Sequence, residues 1–146
     1  MYQTGVQRRF NARHALVGDF GDERTPHSHS YLVEWIRGSR ELDENGFATD
    51  IAAMEAAMEE ELAAIDDRLL NDIPFFEGIQ TSLENVCRFL HFRLETNLIR
   101  RTGEREQPDR HNTVVRIWEN DSAWASYEAS PASVQHSGTG TADGGA

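Results

Sequence analysis

The run His27-Ser28-His29-Ser30-Tyr31-Leu32-Val33-Glu34-Trp35-Ile36-Arg37 carries the first strong signal in the chain. Its aromatic and β-branched composition predicts a strand over 29–37. Residues two apart on a strand share a face, so His27 and His29 aim their imidazoles the same way. Residues 2–13 also read as a strand, with Tyr2, Val6 and Phe10 in an otherwise polar run, and His14 lies at its end. Between the two strands, residues 17–27 are turn-rich and read as a loop. If the strands pair as a hairpin, His14 meets His27 and His29. Three neutral imidazoles with an open fourth position is the arrangement of a catalytic zinc. Cys87 is the only cysteine, which excludes a sulfur-rich structural site. An H-x-H pair alone is a weak signal, because surface strands carry such pairs by chance.

Further along, Asp43-Glu44-Asn45-Gly46 is a turn signal. Asp50 is placed to cap a helix over 51–64, whose apolar residues Ile51, Met54, Met58, Leu62 and Ile65 recur at helical spacing and read as core. Residues 66–80 read as an irregular link containing Pro74 and Gly78. A second helix is predicted from Ser82 to about Arg101, with Leu83, Val86, Phe89, Leu90, Arg93, Leu94 and Leu98 on one face. After a polar loop over 103–111, residues 112–119 and 122–128 read as a third and a fourth strand. From Ala129 onward the composition turns to Ser, Gly, Thr and Ala, so 1–129 reads as one domain and 130–146 as a disordered tail. The order is two strands, two helices, two strands. It predicts an α+β fold: a four-stranded antiparallel sheet with both helices on one face. Such a sheet has exposed edges, and oligomerisation through them is the expected remedy.

Composition narrows the classes of function. The formal net charge is −11 over 146 residues, and all 14 basic residues are arginine. Acidic excess without lysine is the surface style of proteins from a salt-saturated cytoplasm, where the Debye length falls to about 3 Å or less. A high-GC codon bias also favours arginine over lysine, and both can hold at once. The acidic surface argues against nucleic acid as a partner. No apolar run reaches the length of about 18 residues that a membrane span needs. The start of the chain has no signal-peptide pattern, and one cysteine suits a reducing compartment, so a cytoplasmic location is expected.

Six short motifs in order resemble the 6-pyruvoyl-tetrahydropterin synthase family, which includes 6-carboxy-tetrahydropterin synthase. Phe10-Asn11-Ala12-Arg13-His14 resembles F-x-A-x-H, and His27-Ser28-His29-Ser30-Tyr31 resembles H-G-H-x-Y. Gly46-Phe47-Ala48-Thr49-Asp50 is similar to G-M-V-x-D, and Ile65-Asp66-Asp67-Arg68-Leu69-Leu70-Asn71 to L-D-H-x-x-L-N. Ser82-Leu83-Glu84-Asn85 resembles T-x-E-N, and Val115-Arg116-Ile117-Trp118-Glu119 with Tyr127 resembles V-x-V-x-E…Y. The resemblance implies the T-fold and a homohexamer, two trimers whose sheets close into a barrel with sites between subunits. It implies Zn2+ on His14, His27 and His29, and a pterin held by Glu119. A carboxylate there accepts two parallel N–H bonds from the aminopyrimidinone edge.

Two positions depart from the family pattern. The catalytic cysteine is replaced by Glu23 and the catalytic histidine by Asp67, while Asp66 matches. A carboxylate can move protons if burial or a neighbouring charge raises its pKa. The resemblance therefore implies a zinc-dependent lyase acting on 7,8-dihydroneopterin triphosphate, with Glu23, Asp66 and Asp67 handling protons. The alternative is a non-catalytic zinc and pterin binding module on the same scaffold.

The charge reading carries its own test. Thermal melts across a KCl series should rise steeply, since salt screens the repulsion of a −11 surface. A melting point unmoved between dilute buffer and molar KCl would remove the halophilic reading.

Overall fold

In the computed structural model, which describes residues 1–104 and 111–129, four strands and two helices follow the expected order. They are β1 (Tyr2–His14), β2 (His27–Ser39), α1 (Ile51–Ala63), α2 (Leu83–Thr102), β3 (His111–Trp118) and β4 (Trp124–Ala129). The strands form one antiparallel sheet in the order β1-β2-β3-β4. The expected tail over 130–146 and most of the loop before β3 lie outside the described residues.

Register follows from which residues must be buried. Val6 pairs with Trp35 and Phe10 with Tyr31 across β1 and β2. Trp35 pairs with Val115 and Val33 with Ile117 across β2 and β3. These side chains share one face, and the helices pack on it, α1 against β1 and α2 against β3 and β4. Trp35, Val33, Val115 and Ile117 have no exposed surface. The opposite face carries polar rows. There Trp118 Nε1 donates to Glu34 at 3.0 Å, and the Arg116 guanidinium stacks 4.6 Å from the centre of the Trp124 ring.

The helix stops and starts are local chemistry. Asp50 caps α1 by accepting from Ala53 N at 3.0 Å, as expected. Ser82 caps α2 by accepting from Asn85 N. Gly103, at φ +67°, closes α2 with its N–H on Ile99 O. The core stripe of α1 is Met54, Met58 and Leu62, continued by Ile65 just beyond the helix; Ile51, expected in it, is 48% exposed, because it starts the helix beyond the edge of the core.

Arg93, expected on the buried face of α2, instead serves a polar seam between the helices. Glu61 of α1 is 7% exposed and accepts from Arg93 Nε at 2.7 Å and from Asn97 Nδ2 at 2.7 Å. Next to it, Glu60 takes Arg100 at 3.0 Å and also Arg101. Three consecutive glutamates close the C-terminal end of α1, where the helix dipole disfavours them. The donors of α2 offset that.

The link over residues 66–80 is more ordered than its composition predicts. It contains short 3₁₀ turns at Leu70–Asp72 and Pro74–Phe76 and lies along the outer edge of β1. Asn11 N donates to Asp66 Oδ1, Asp67 N donates to Asn11 O, and Arg13 N donates to Arg68 O. The edge of β1 is therefore covered from Asn11 onward. Its earlier part, from Tyr2 to Phe10, has no such cover among the described residues.

The seam between α1 and α2 yields a stability prediction. Asn97→Ala leaves a buried carboxylate oxygen of Glu61 without its donor, which should cost about 1–3 kcal/mol in a urea melt. A loss under a few tenths of a kcal/mol would show that water replaces the amide there.

Candidate metal centre and substrate site

β2 begins at His27 rather than His29, so the ladder itself fixes the histidines. His14 is the direct cross-strand partner of His27, and Ala12 is the partner of His29. All three imidazoles therefore stand on the helix-covered face, at one end of the sheet. The small side chain of Ala12 opposite His29 leaves room for the rings to converge. Ring centres lie 4.5 Å apart for His14 and His27, 5.2 Å for His14 and His29, and 4.8 Å for His27 and His29. One ligand atom from each falls within 4.8 Å of the others.

The hydrogen bonds say which nitrogens are left to face an ion. His14 Nδ1 lies 2.8 Å from Thr81 O, and His27 Nδ1 lies 2.9 Å from Thr25 O. A carbonyl can only accept, so each Nδ1 carries the proton and each Nε2 is left with a free lone pair. The Nε2 atoms of His14, His27 and His29 are buried and have no hydrogen-bond partner. Three buried, unpartnered Nε2 atoms gathered in one cluster fit a divalent cation of zinc's type. The carbonyls behind His14 and His27 are of the kind that orients metal-bound imidazoles.

Charge around the cluster is sparse. Glu119 Oε1 lies 3.1 Å from His29 Nε2, but off the axis of a hydrogen bond. Burial is the largest influence on His29 and holds its pKa below the ordinary imidazole value. Glu119 opposes this, His14 and His27 add to the depression, and Glu23 opposes it least. A neutral imidazole is the form that binds metal. Tyr31, 1% exposed and 5.4 Å from the His29 ring, has its phenol pushed up by burial and by Glu119, so it stays protonated.

Of the residues singled out from the sequence, His14, His27, His29 and Glu119 come together at this site. Glu23 sits in a 3₁₀ turn, Gly21–Arg24, that has no buried residue, and its carboxylate acts on His29 through space. Asp66 and Asp67 do not join the cluster of their own chain. Both are exposed and attach to the backbone of Asn11 on the outer edge of β1, and Asp67 holds the left-handed conformation at φ +57°. Cys87 does not stand in for the missing thiol. It is buried between α2 and β4, donates to Ala125 O at 3.3 Å, and burial pushes its pKa to about 12. The carbonyls of Thr25 and Thr81 were missed from sequence, since backbone groups leave no residue-type signal.

A four-stranded antiparallel sheet carrying two helices on one face is the T-fold, here with a three-histidine cluster at one end of that face. The family model described as 6-pyruvoyl tetrahydropterin synthase matches residues 4–130, and the chain belongs to that family. Among solved structures, Caenorhabditis elegans 6-pyruvoyl tetrahydropterin synthase superposes with a TM-score of 0.72 at 24% identity, covering 88% of this chain and 96% of that one. A Plasmodium vivax 6-pyruvoyltetrahydropterin synthase, a catalytic residue mutant with alanine in place of glutamate, superposes with a TM-score of 0.71 at 15% identity, covering 88% of this chain and 98% of that one. These likenesses show the fold. Among curated proteins, none matches the chain.

The metal site is testable by composition alone. His27→Ala removes one of three converging lone pairs and should reduce bound zinc from one per chain to a small fraction by elemental analysis. Full stoichiometric zinc in that variant would rule the site out.

Proposed function

We propose that the chain is a zinc-dependent lyase acting on 7,8-dihydroneopterin triphosphate. The observation that supports this most directly is the convergence of three unpartnered imidazole nitrogens beside the carboxylate of Glu119. His14, His27 and His29 would hold the zinc. When bound, zinc would act as a Lewis acid that lowers the pKa of the substrate's side-chain hydroxyls. Glu119 accepts the paired N–H groups of the pterin ring and fixes the ring relative to the histidines. Glu23 takes a proton from the side chain and returns it, the task the family gives to cysteine. A catalytic glutamate in the Plasmodium vivax relative supports a carboxylate in such a role. Tyr31, kept protonated, holds a neutral wall beside His29.

Asp66 and Asp67 lie on the edge of the sheet, which is where a neighbouring copy meets the chain if sheets close into a barrel. In the homohexamer that the family resemblance implies, they relay protons for that neighbour's cluster. The product is 6-carboxy-tetrahydropterin on the route to deazaguanine tRNA bases, 6-pyruvoyl-tetrahydropterin, or a 6-hydroxymethyl-dihydropterin. A cytoplasmic, salt-adapted enzyme is the setting that the composition favours.

A second reading is a binding module that holds zinc and pterin without turnover. It is favoured by one observation: an oxygen of Asp66 is already engaged by Asn11 N, and the family's histidine is Asp67. Incubation with the triphosphate in molar KCl, with products identified by mass, separates the two.

Glu23→Gln keeps the volume of the side chain and removes its basic oxygen. Turnover should fall by about 10²–10⁴-fold, the usual loss on removing a general base. Zinc content and pterin binding should persist. Turnover at the parent rate in this variant would pass the role to Asp66 or Asp67.

A further inference from the structure

Beyond His14, strand β1 has run out of partners, yet the chain does not become free. Ala15 N donates to Asn71 Oδ1 at 2.9 Å, and Asn71 Nδ2 donates back to Ala15 O at 2.9 Å. Two residues on, Val17 N donates to Gln80 Oε1 at 2.8 Å, and Gln80 Nε2 donates back to Val17 O at 2.9 Å. Each carboxamide exchanges both hydrogen bonds with one residue, as a facing residue does in an antiparallel ladder. A primary amide offers one acceptor and a donor in one plane, so it can imitate a peptide group. Two side chains thus continue the sheet where no strand exists.

The residue between the clamps faces the other way. Leu16 N donates to Glu23 O at 2.8 Å. The strip from Ala15 to Val17 is therefore held on one side by Asn71 and Gln80, and on the other it holds Glu23. Packing does little here: Val17 is 75% exposed, and the turn Gly21–Arg24 buries nothing. The clamps are anchored from behind. Asn71 follows Leu70, which is fully buried, and the carbonyl of Gln80 takes Asn85 Nδ2 at 3.0 Å in the first turn of α2. Thr81, the next residue, holds His14 through its carbonyl and Ala15 through its hydroxyl.

We propose that Asn71 and Gln80 are positioning residues for Glu23: through Ala15, Leu16 and Val17 they set where its carboxylate stands relative to the three histidines. This rests on the reading of Glu23 as the proton acceptor. A general base works only within hydrogen-bond reach of its proton, and the turn that carries Glu23 has no apolar anchor to hold it there. The pair of clamps supplies that anchor. It also ties the base to the residue pair Gln80-Thr81 that orients His14, so base and metal ligand share one mount.

The test uses Gln80→Glu and Asn71→Asp, which keep shape and the acceptor but lose the donor and set a carboxylate against a carbonyl. Hydrogen exchange of the Leu16 amide is read first, with no substrate present. It should quicken by at least about tenfold in either variant, while amides of α2 exchange at the parent rate, showing that the fold stands. An unchanged Leu16 amide in both variants overturns the clamp, whatever the protein turns over. Turnover is read second, in the parent and in the Glu23→Gln background. In the parent background kcat should fall by about 10–100-fold, the scale of a misplacement near 1 Å, with KM and zinc content within about twofold. In the Glu23→Gln background the same changes should add little, because the group they position is already gone. A full, additive loss there overturns the positioning role. If the unmodified protein turns over no pterin triphosphate at all, the lyase reading fails, and the exchange measurement alone decides the clamp.

Discussion

The pairing of His14 with His27 and of Ala12 with His29 is the constraint on which the rest of the site depends. Side chains alternate along a strand, so a slip of one residue would turn one member of the cluster to the opposite face. The register is fixed away from the site. Trp35 and Tyr31 on β2 must lie under the helices, and Val6 and Phe10 on β1 must lie beside them. Burial of large apolar side chains is worth about 1.5–3 kcal/mol each. A shift that exposes several of them is prohibitive, and the imidazoles inherit that precision.

The same burial sets the chemistry. Desolvation keeps His29 below the ordinary imidazole range, and the nearby phenol of Tyr31 stays protonated for the same reason. The strongly acidic character of the chain is kept out of this corner. Glutamates gather on α1, where Glu60 and Glu61 meet arginines of α2. Among the described residues, Glu119 and Glu23 are the carboxylates that bear on His29, from different loops. A metal cluster crowded by carboxylates would hold its imidazoles protonated and would compete with substrate for the open position.

What could be read from sequence was whatever local periodicity carries. Parity placed His27 and His29 on one face, Asp50 announced α1, and Met54, Met58 and Leu62 marked its buried stripe. The order of elements gave the antiparallel sheet with helices on one face. The unread part is long-range and polar. Nothing local in residues 66–80 shows that their amides and carbonyls will finish the edge of a strand more than fifty residues earlier in the chain. Arg93 looked like part of an apolar face because its stem fits the spacing, and only the buried Glu61 across the seam explains it. Ile51 fits the same period but falls at a helix start, outside the reach of the core. Asp66 and Asp67 were placed by motif, and motif alone does not say which side of β1 they occupy.

The half-covered edge of β1 also acts as a ruler. A strand adding to the β1 edge finds free amides and carbonyls, among the described residues, only between Tyr2 and Phe10, because from Asn11 onward those groups are already bonded to the segment from Asp66 to Gln80. An incoming strand that slides toward the histidines meets this segment and stops. Edges that end abruptly in this way accept one partner in one alignment, whereas long open edges accept many in any. The chain thereby carries its own limit on how far along β1 an incoming strand can pair.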